Sequence, residues 1–381
     1  MKQIKNIGIS ILLLVMAMII LQGCGLKKEE YIEVTVSDSV FDDKYYYEQL
    51  SEEKKTAYRE IYQGLSECKK EFDIHCQSGT EANDILYAVL YDSPELFWCD
   101  GEVVSTEYAS DFVTVRPEYN CSVREKEKKE AEIKKVVEEI LEQAPNTDDE
   151  YEKVKYIYEY LIDHVAYVED VSDNQNIYSS LVGGESVCAG YAKATQYLLQ
   201  QMGVYCIYVT GEATSQLGTM PHAWNIVRCD DVYYYVDTTW ADPLFGGEQD
   251  TNLDMPMVYE YLCCTSATLN STHSLDAKYQ YPICAIDNLN YYRLNNMLYD
   301  SADKEELRKV LYQSIDEKED SVLFKFASKE LYEKGRDVLI DELLEDAAQY
   351  LGRQYEIERV SCQYTEDEQM CKVIIYWSYN E

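Results

Sequence analysis

The sequence is poor in basic residues, and this limits the partners it can have. Its 381 residues include 34 Lys and Arg against 71 Asp and Glu, which gives a formal net charge of −37. Nucleic acids are bound through Lys and Arg side chains that neutralise phosphates, so the composition argues against a nucleic-acid partner. It argues equally against attachment to anionic lipid through a polybasic patch.

The motifs of common cofactor and metal sites are also missing. The sequence contains no P-loop and no G-x-G-x-x-G, so it does not indicate the nucleotide cofactors that these loops bind. It has only four His and no C-x-x-C pair, which gives little support to a zinc site. We therefore expect no cofactor and no metal.

Cysteine is present at 13 positions, but its pairing stays open. One Cys is interpreted below as a lipid site and another as a nucleophile, which leaves eleven. An odd number cannot all pair with one another within one chain. Export from the cytoplasm would permit disulfides, whereas an anaerobic host would leave the thiols free.

The first residues have the composition of an export signal. Lys2 and Lys5 precede an apolar run over 7–21. This run is shorter than the ~20 residues of a comfortable membrane-spanning helix. A charged start, an apolar core and small residues before a cut are typical of a secretory signal, which we place at 1–23.

The end of this segment, Leu21-Gln22-Gly23-Cys24, resembles a bacterial lipobox. The resemblance implies cleavage before Cys24 and lipidation of that cysteine. We then expect residues 24–40 to form a tether and the protein to be lipid-anchored on the extracytoplasmic side of the cell membrane. The alternative is an uncleaved membrane anchor with an incidental cysteine.

The remaining chain is predicted to hold three domains. Residues 41–145 are mainly helical, beginning with Ser51 as an N-cap, although 95–99 is predicted as a strand. Residues 146–289 form the core that carries the chemistry, and Thr147-x-x-Glu150 is predicted to open it as a capping box. Residues 290–381 alternate helix and strand and are predicted to form a small α/β domain.

The first candidate for chemistry is a cysteine at a helix start. The apolar spacing after Cys188 predicts a helix in which this residue occupies the first turn. The helix dipole favours a thiolate there. A cysteine in such a place is, taken alone, more often a small packed residue.

A hairpin predicted after this helix aligns two further candidates. Asp230 and Asp231 separate two strand-like runs, so a two-residue turn makes paired residue numbers sum to 461. His222 and Asp237 then share one face of the sheet as diagonal neighbours, about 7–8 Å apart at the backbone. An Asp in that position can orient an imidazole, and a helix start packed nearby would bring Cys188 to the ring.

Three blocks of this region resemble the transglutaminase-like superfamily: Glu185-Ser-Val-Cys188-Ala-Gly-Tyr-Ala192, His222-Ala-Trp-Asn225 and Tyr235-Val-Asp237-Thr-Thr-Trp-Ala-Asp-Pro243. The resemblance implies a papain-like α+β core, a helix bearing the Cys packed on an antiparallel sheet. It also implies a triad in which Cys188 is the nucleophile, His222 the base and Asp237 the orienter. The family motif often has Gly where this chain has Ser186, a departure that concerns the turn.

Four more side chains are candidates for the same site. Gln175 lies in a polar stretch before the nucleophile and could donate to an oxyanion, as could the backbone N–H of Cys188, but a plain loop glutamine is an equal alternative. Tyr191, Trp224 and Trp240 could line the cleft, with core packing as the alternative reading.

The resemblance implies a mechanism more firmly than a substrate. The expected function is a thiol enzyme acting on amide bonds of extracellular proteins or peptides through a thioester, with hydrolysis or acyl transfer as the outcome. The alternative is a surface-binding lipoprotein whose transglutaminase-like core is inactive.

Overall fold

The structure is a computed structural model that describes residues 31–108, 112–215, 218–241, 257–357 and 359–379. The predicted signal segment and Cys24 lie outside these ranges. Among the described residues, no helix is both long enough and apolar enough to cross a membrane. Helices and strands are mixed along the chain, which confirms the predicted α+β class.

The chain divides into two compact units, which are described separately. Unit 1 comprises Met1–Met257 and Asn270–Ile283, and unit 2 comprises Val258–Leu269 and Cys284–Glu381. The segment predicted as an N-terminal domain and most of the predicted catalytic core fall together in unit 1, whereas residues 258–269 and 284–289 of that predicted core belong to unit 2. The boundary between them remains a prediction.

Both units contain helices and strands. The helices of unit 1 are α1 (Tyr45–Glu48), α2 (Glu52–Ser66), α3 (Gly79–Asp92), α4 (Val123–Gln143), α5 (Glu150–His164) and α6 (Cys188–Gln201). Its strands are β1 (Phe72–Ile74), β2 (Val103–Glu107), β3 (Val113–Pro117), β4 (Ala166–Tyr167), β5 (Glu185–Ser186), β6 (Cys206–Ser215), β7 (Gly218–Cys229), β8 (Val232–Val236) and β9 (His273–Leu275). Unit 2 contains α7 (Ser266–Leu269), α8 (Tyr291–Leu294), β10 (Leu298–Tyr299), α9 (Lys304–Asp316), β11 (Ser321–Phe326), α10 (Lys329–Asp337), α11 (Leu344–Tyr355), β12 (Cys362–Asp367) and β13 (Lys372–Trp377).

The described part of the predicted tether lies against the body of unit 1. The main-chain N–H groups of Thr35 and Val36 donate to Gln63 Oε1 over 3.0 and 3.2 Å. The ring of Tyr31 stacks on His75 with 3.8 Å between the ring centroids. The stretch that includes Tyr31, Thr35 and Val36 therefore contacts the rest of unit 1. A tether was predicted here because the stretch lacks apolar periodicity, and that criterion does not detect such contacts.

The first part of unit 1 packs helices on a three-stranded sheet of order β1-β3-β2, in which both pairings are antiparallel. α2 follows Ser51 as predicted. The strand predicted over 95–99 is wrong, because this stretch forms turns closed by bonds such as Cys99 N–H to Leu96 O, at 3.1 Å. Its apolar residues are buried without strand pairing.

The second part of unit 1 packs α6 on an antiparallel sheet of order β8-β7-β6-β9. In the β7–β8 hairpin, Cys229 pairs with Val232. Asp230 and Asp231 have φ values of 49° and 61°, the left-handed pair of a type I′ turn. The predicted two-residue turn and its register are thus confirmed.

The start of α5 differs from the prediction. Asp149 is the N-cap, and its Oδ1 accepts from the N–H groups of Tyr151 and Glu152 over 2.9 and 3.3 Å. Thr147 Oγ1 accepts from the Asp149 N–H instead. The capping box is therefore replaced by an Asp cap, since a carboxylate close to the free N–H groups stabilises them more strongly.

Unit 2 is built on a sheet of order β10-β11-β13-β12, with α9, α10 and α11 packed on its core. The predicted helix and strand alternation is present. The predicted stop at Gly352 is wrong, because α11 continues to Tyr355 and ends at Glu356, whose φ is 57°.

A buried ion cluster ties the first segment of unit 2 to its sheet. Glu260 Oε1 lies 3.0 Å from Lys372 Nζ and 3.7 Å from Lys325 Nζ. The Glu260 side chain is 1% exposed. Burial alone would favour the neutral acid, but the two ammonium groups outweigh it and lower the pKa of Glu260.

Replacing Glu260 by alanine should destabilise unit 2 by about 2–4 kcal/mol, because two buried ammonium groups lose their counter-charge. Hydrogen exchange of the β11 and β13 amides measures the loss. Glu366→Ala, which removes a more exposed partner of Arg336, is the control and should change stability by less than about 1 kcal/mol. Equal protection in the two variants would contradict a stabilising role for the cluster.

Candidate active site

Cys188 is the first residue of α6, as predicted. The chain before it is fixed by the Val187 N–H, which donates to Asn174 O over 3.1 Å, and by Ser186 Oγ, which donates to the same oxygen over 2.7 Å. The N-cap residue, Val187, provides no side-chain hydrogen bond to the first N–H groups of the helix, which lie at the end that carries Cys188. Cys188 is partly exposed.

Gly190 allows the start of α6 to approach the preceding loop closely. A Cβ placed there would lie 1.9 Å from Ser186 Oγ and 2.8 Å from Ser180 Oγ. Both hydroxyls are buried in hydrogen bonds, so neither can move away freely. Glycine is required at this position for space, and this requirement sets the position of Cys188 two residues earlier.

Gly190→Ala should therefore displace the first turn of α6 and lower the alkylation rate of Cys188, at a stability cost of about 1–3 kcal/mol from overpacking. Iodoacetamide labelling with peptide mapping gives the rate. Ala194→Gly, a substitution on the same helix that removes a methyl, costs stability without pushing the first turn and serves as the control. An unchanged Cys188 rate in folded Gly190→Ala would contradict the positioning role.

The structure brings His222 and Asp237 into direct contact. His222 Nε2 lies 2.8 Å from Asp237 Oδ2, and both side chains are buried. His222 lies on β7, and Asp237 follows the last residue of β8. The shared face deduced from the hairpin register therefore places base and carboxylate together.

The pair is held as an imidazolium and a carboxylate. Burial by itself favours the neutral ring, but the charge and hydrogen bond of Asp237, with a smaller contribution from Cys188, raise the pKa of His222 to about 10. Burial would likewise raise the pKa of Asp237, yet His222 and a second imidazole hold it well below the usual range.

The His222 ring also interacts with Cys188. A side-chain hydrogen bond with Cys188 is among the causes of the raised pKa of His222. Because Nε2 faces Asp237, Nδ1 is the ring atom left for the thiol. The His222 side chain therefore interacts with both of the other predicted residues, Cys188 and Asp237.

The aromatic candidates take different places. Trp224 is 1% exposed and stacks on His222 at 5.8 Å between ring centroids, so it packs behind the imidazole. Trp240 is partly exposed and lies 6.2 Å from the His222 ring, at the edge of the site. Tyr191 does not line a cleft: it is fully buried and its hydroxyl donates to Val165 O, which supports the core-packing alternative.

Two tyrosines that the sequence did not single out lie near the sulfur. Burial raises the pKa of Tyr167 and of Tyr208, and the charge of Cys188 adds to both shifts. Tyr167 is partly exposed, whereas Tyr208 is buried.

Gln175 is exposed in the loop before the nucleophile. Its main-chain oxygen accepts from Lys193 Nζ over 3.1 Å, which fixes the loop to α6. Its role as an oxyanion donor remains a prediction.

His273 is the residue that sequence reasoning missed. Its Nε2 lies 3.0 Å from Asp237 Oδ2, the same oxygen that His222 contacts. It starts β9, which pairs with β6 through Ala213. One signal in the sequence was its rarity, since only four His occur and a buried one needs a partner.

Within the described ranges, one group of residues has the side-chain types and spacing that could hold a metal ion: His222, Asp237 and His273. Their ligand atoms lie within 4.8 Å of one another. A metal ion requires both imidazole nitrogens without protons. In this site each Nε2 lies at hydrogen-bonding distance from the same carboxylate oxygen, and the raised pKa of His222 favours its proton. The donor set fits a hydrogen-bonded network better than a cation.

A comparison with known protein families identifies the type of domain that contains these residues. Residues 135–238 match the sequence model of the transglutaminase-like superfamily, so the chain contains a transglutaminase-like domain. This range includes Cys188, His222 and Asp237 and ends before His273. None of the curated proteins compared with the chain matches it.

Solved structures are similar at low identity. A TGase structure is 14% identical, with a TM-score of 0.27, over 49% of this chain and 54% of its own. A candidate cysteine protease from Cytophaga hutchinsonii is 14% identical, with a TM-score of 0.26, over 38% of this chain and 64% of its own. A candidate protease from Parabacteroides distasonis is 12% identical, with a TM-score of 0.24, over 37% of this chain and 36% of its own. The chain therefore spans less than two thirds of the length of each.

Proposed function

We propose that the transglutaminase-like domain is an active thiol enzyme that cleaves or transfers amide bonds of extracellular proteins or peptides. The observation that carries this proposal is the grouping of Cys188, His222 and Asp237. Cys188 is the first residue of α6, and the His222 imidazole forms a 2.8 Å hydrogen bond with the buried Asp237 carboxylate. If these residues served only for packing, a charged imidazole in contact with both a partly exposed cysteine and a buried carboxylate would not be required.

The proposed first step forms a thioester. The Cys188 thiolate attacks the amide carbonyl carbon, and the carbonyl electron pair moves to the oxygen. In this proposal the backbone N–H of Cys188, at the helix start, donates to the oxyanion. When the oxyanion collapses, the C–N bond breaks, and His222 gives its proton to the leaving amine.

The second step releases the acyl group. Neutral His222 takes a proton from water or from a second amine, which attacks the thioester. The sulfur leaves as a thiolate, and the imidazolium is restored with Asp237 beside it. Water gives hydrolysis and an amine gives transfer, so the acceptor decides which product forms.

Product analysis tests the proposal. Purified full-length protein is incubated with a peptide library derived from cell-surface proteins, with and without a fluorescent primary amine, and products are read by mass spectrometry. Amine incorporation indicates transfer, and new carboxylates or peptide ends indicate hydrolysis. If neither product forms while the peptides bind, the surface-binding lipoprotein with an inactive core becomes the better description.

The proposed location is the cell membrane, with a lipid on Cys24. The lipobox resemblance of residues 21–24 supports this proposal. Cleavage also removes Lys2 and Lys5, so the mature protein is still more acidic. The lipid would then hold at the membrane a protein that its own charge repels from anionic surfaces.

Cys24→Ser should release the protein from the membrane fraction or leave an unprocessed precursor, since the thiol that carries the lipid is gone. Cell fractionation and intact-mass measurement give the result, and Cys121→Ser is the control. A wild-type protein that retains Met1 and carries no lipid would contradict lipid anchoring.

A further inference from the structure

The Asp237 carboxylate has all of its strong acceptor positions in use. Oδ1 accepts from the backbone N–H groups of Thr239 and Trp240 over 2.9 and 3.0 Å. Oδ2 faces the Nε2 atoms of His222 and His273 over 2.8 and 3.0 Å. The two backbone bonds prevent the carboxylate from rotating, so both rings must share one oxygen.

The second imidazole is held firmly in its orientation. Thr272 Oγ1 lies 2.7 Å from His273 Nδ1, where its hydroxyl can donate to a ring that carries its proton on Nε2. The centroids of the Trp240 and Trp224 rings lie 4.7 and 5.1 Å from that of the His273 ring. His273 itself lies on β9, which pairs with β6. His273 is therefore a fixed N–H donor aimed at Asp237 Oδ2.

Sharing one oxygen has an electrostatic consequence. The titratable groups that face His222 are Cys188 from α6, Asp237 after β8 and His273 from β9. In a buried site, a hydrogen bond from a second donor draws charge from the carboxylate and reduces the attraction that remains for the first donor. A carboxylate without this second bond would hold the His222 proton more tightly.

We infer that His273 is a positioning residue that limits how strongly Asp237 holds the imidazolium proton of His222, and so makes His222 a better proton donor to the leaving amine. The inference rests on the proposed function, because only amide chemistry involves that amine. His273 acts through Asp237 and does not touch the substrate. A purely structural His273 would affect folding without changing the proton affinity of His222.

Two substitutions of similar size separate these roles. His273→Leu fills much of the space but cannot donate, whereas the side-chain amide of His273→Gln places an N–H where Nε2 was. In the leucine variant the acid dissociation constant of His222 should fall about threefold to tenfold. This is less than the full effect of about tenfold to hundredfold for a hydrogen bond to a charged group, because the lost bond acts on His222 only through Asp237. The glutamine variant should return toward the wild-type value.

Histidine-labelled full-length protein gives the measurement by NMR, since the four His ring signals can be assigned by substitution. The His222 titration midpoint is compared with amide turnover and with the iodoacetamide rate of Cys188. Leucine should raise the midpoint and slow amide turnover several-fold relative to alkylation, which needs no proton donor. Glutamine should restore both.

Thr272→Val is a milder variant in case His273→Leu fails to fold. It removes the hydroxyl at Nδ1 and should shift the midpoint in the same direction by a smaller amount. A midpoint that stays unchanged or falls in the folded leucine or valine variant would overturn the inference. If wild-type protein turned over no amide, the proposed function would fail, while the titration would still decide the role of His273.

Discussion

Cys188→Ala is expected to abolish amide turnover, with a loss of at least about 10⁴-fold, because His222 and Asp237 have no step to assist without a nucleophile. The variant should fold normally, since Cys188 is partly exposed at a helix start and alanine suits that position. Covalent labelling by a thiol probe at mildly acidic pH should disappear at the same time.

The measurement compares probe labelling site by site. Cys121→Ala is the matched control, because Cys121 is also partly exposed in unit 1, and burial raises the pKa of its thiol. At about pH 5.5 wild-type protein should be labelled first at Cys188, and the control variant should behave identically. Labelling of Cys188 no faster than that of an unstructured cysteine peptide, unaffected by His222→Ala, would refute the thiolate–imidazolium pair.

Asp237→Asn is expected to lower turnover by about 10³-fold to 10⁴-fold, the size seen when the orienting carboxylate of a comparable triad becomes an amide. The amide can satisfy some of the N–H groups around it, but its own NH₂ must face at least one donor. One buried donor without an acceptor should also cost about 1–3 kcal/mol of stability.

This variant has a distinct pH signature. In wild-type protein the pKa of His222 is raised to about 10 from an ordinary 6.5, so its charged form stabilises the fold fully below 6.5 and that contribution is lost as pH rises through 10. Asp237→Asn removes the main cause of the shift. Between pH 6.5 and 10 the free energy of unfolding in denaturant should fall steeply for wild type and little for the variant, with Asp230→Asn in the exposed turn as control. Parallel pH dependence in all three proteins would contradict the ion pair.

The features of this site that depend on residues close together in the chain could be predicted from the sequence. Asp230 and Asp231 tolerate the left-handed backbone of a tight turn, so the turn length, the register and the shared face of His222 and Asp237 followed from short-range rules. The start of α6 at Cys188 followed from apolar spacing. These features depend on residues within a few positions of one another.

The missed parts depend on partners distant in the chain. His273 reaches Asp237 because β9 pairs with β6, a strand far earlier in the chain, and no local pattern specifies that pairing. Leu96 and Trp98 are buried, as their apolar character favours, but turns bury them instead of a strand, and one of these turns is closed by the Leu96 N–H donating to Ser93 O. At α5 the capping-box pattern predicted Thr147 as the cap, whereas Asp149, two positions later, forms it.

The pairing of β9 with β6 also makes the hydrogen-bond network of the site depend on a segment that is synthesised after its other members. β6 is able to receive β9 at Gly211 because a side chain there would lie 2.0 Å from Ser274 O. Until that last strand is in place, His273 is absent from Asp237 and the carboxylate lacks one of its donors. A chain whose synthesis has not yet passed β9 therefore contains Cys188, His222 and Asp237 without the complete hydrogen-bond network around the carboxylate.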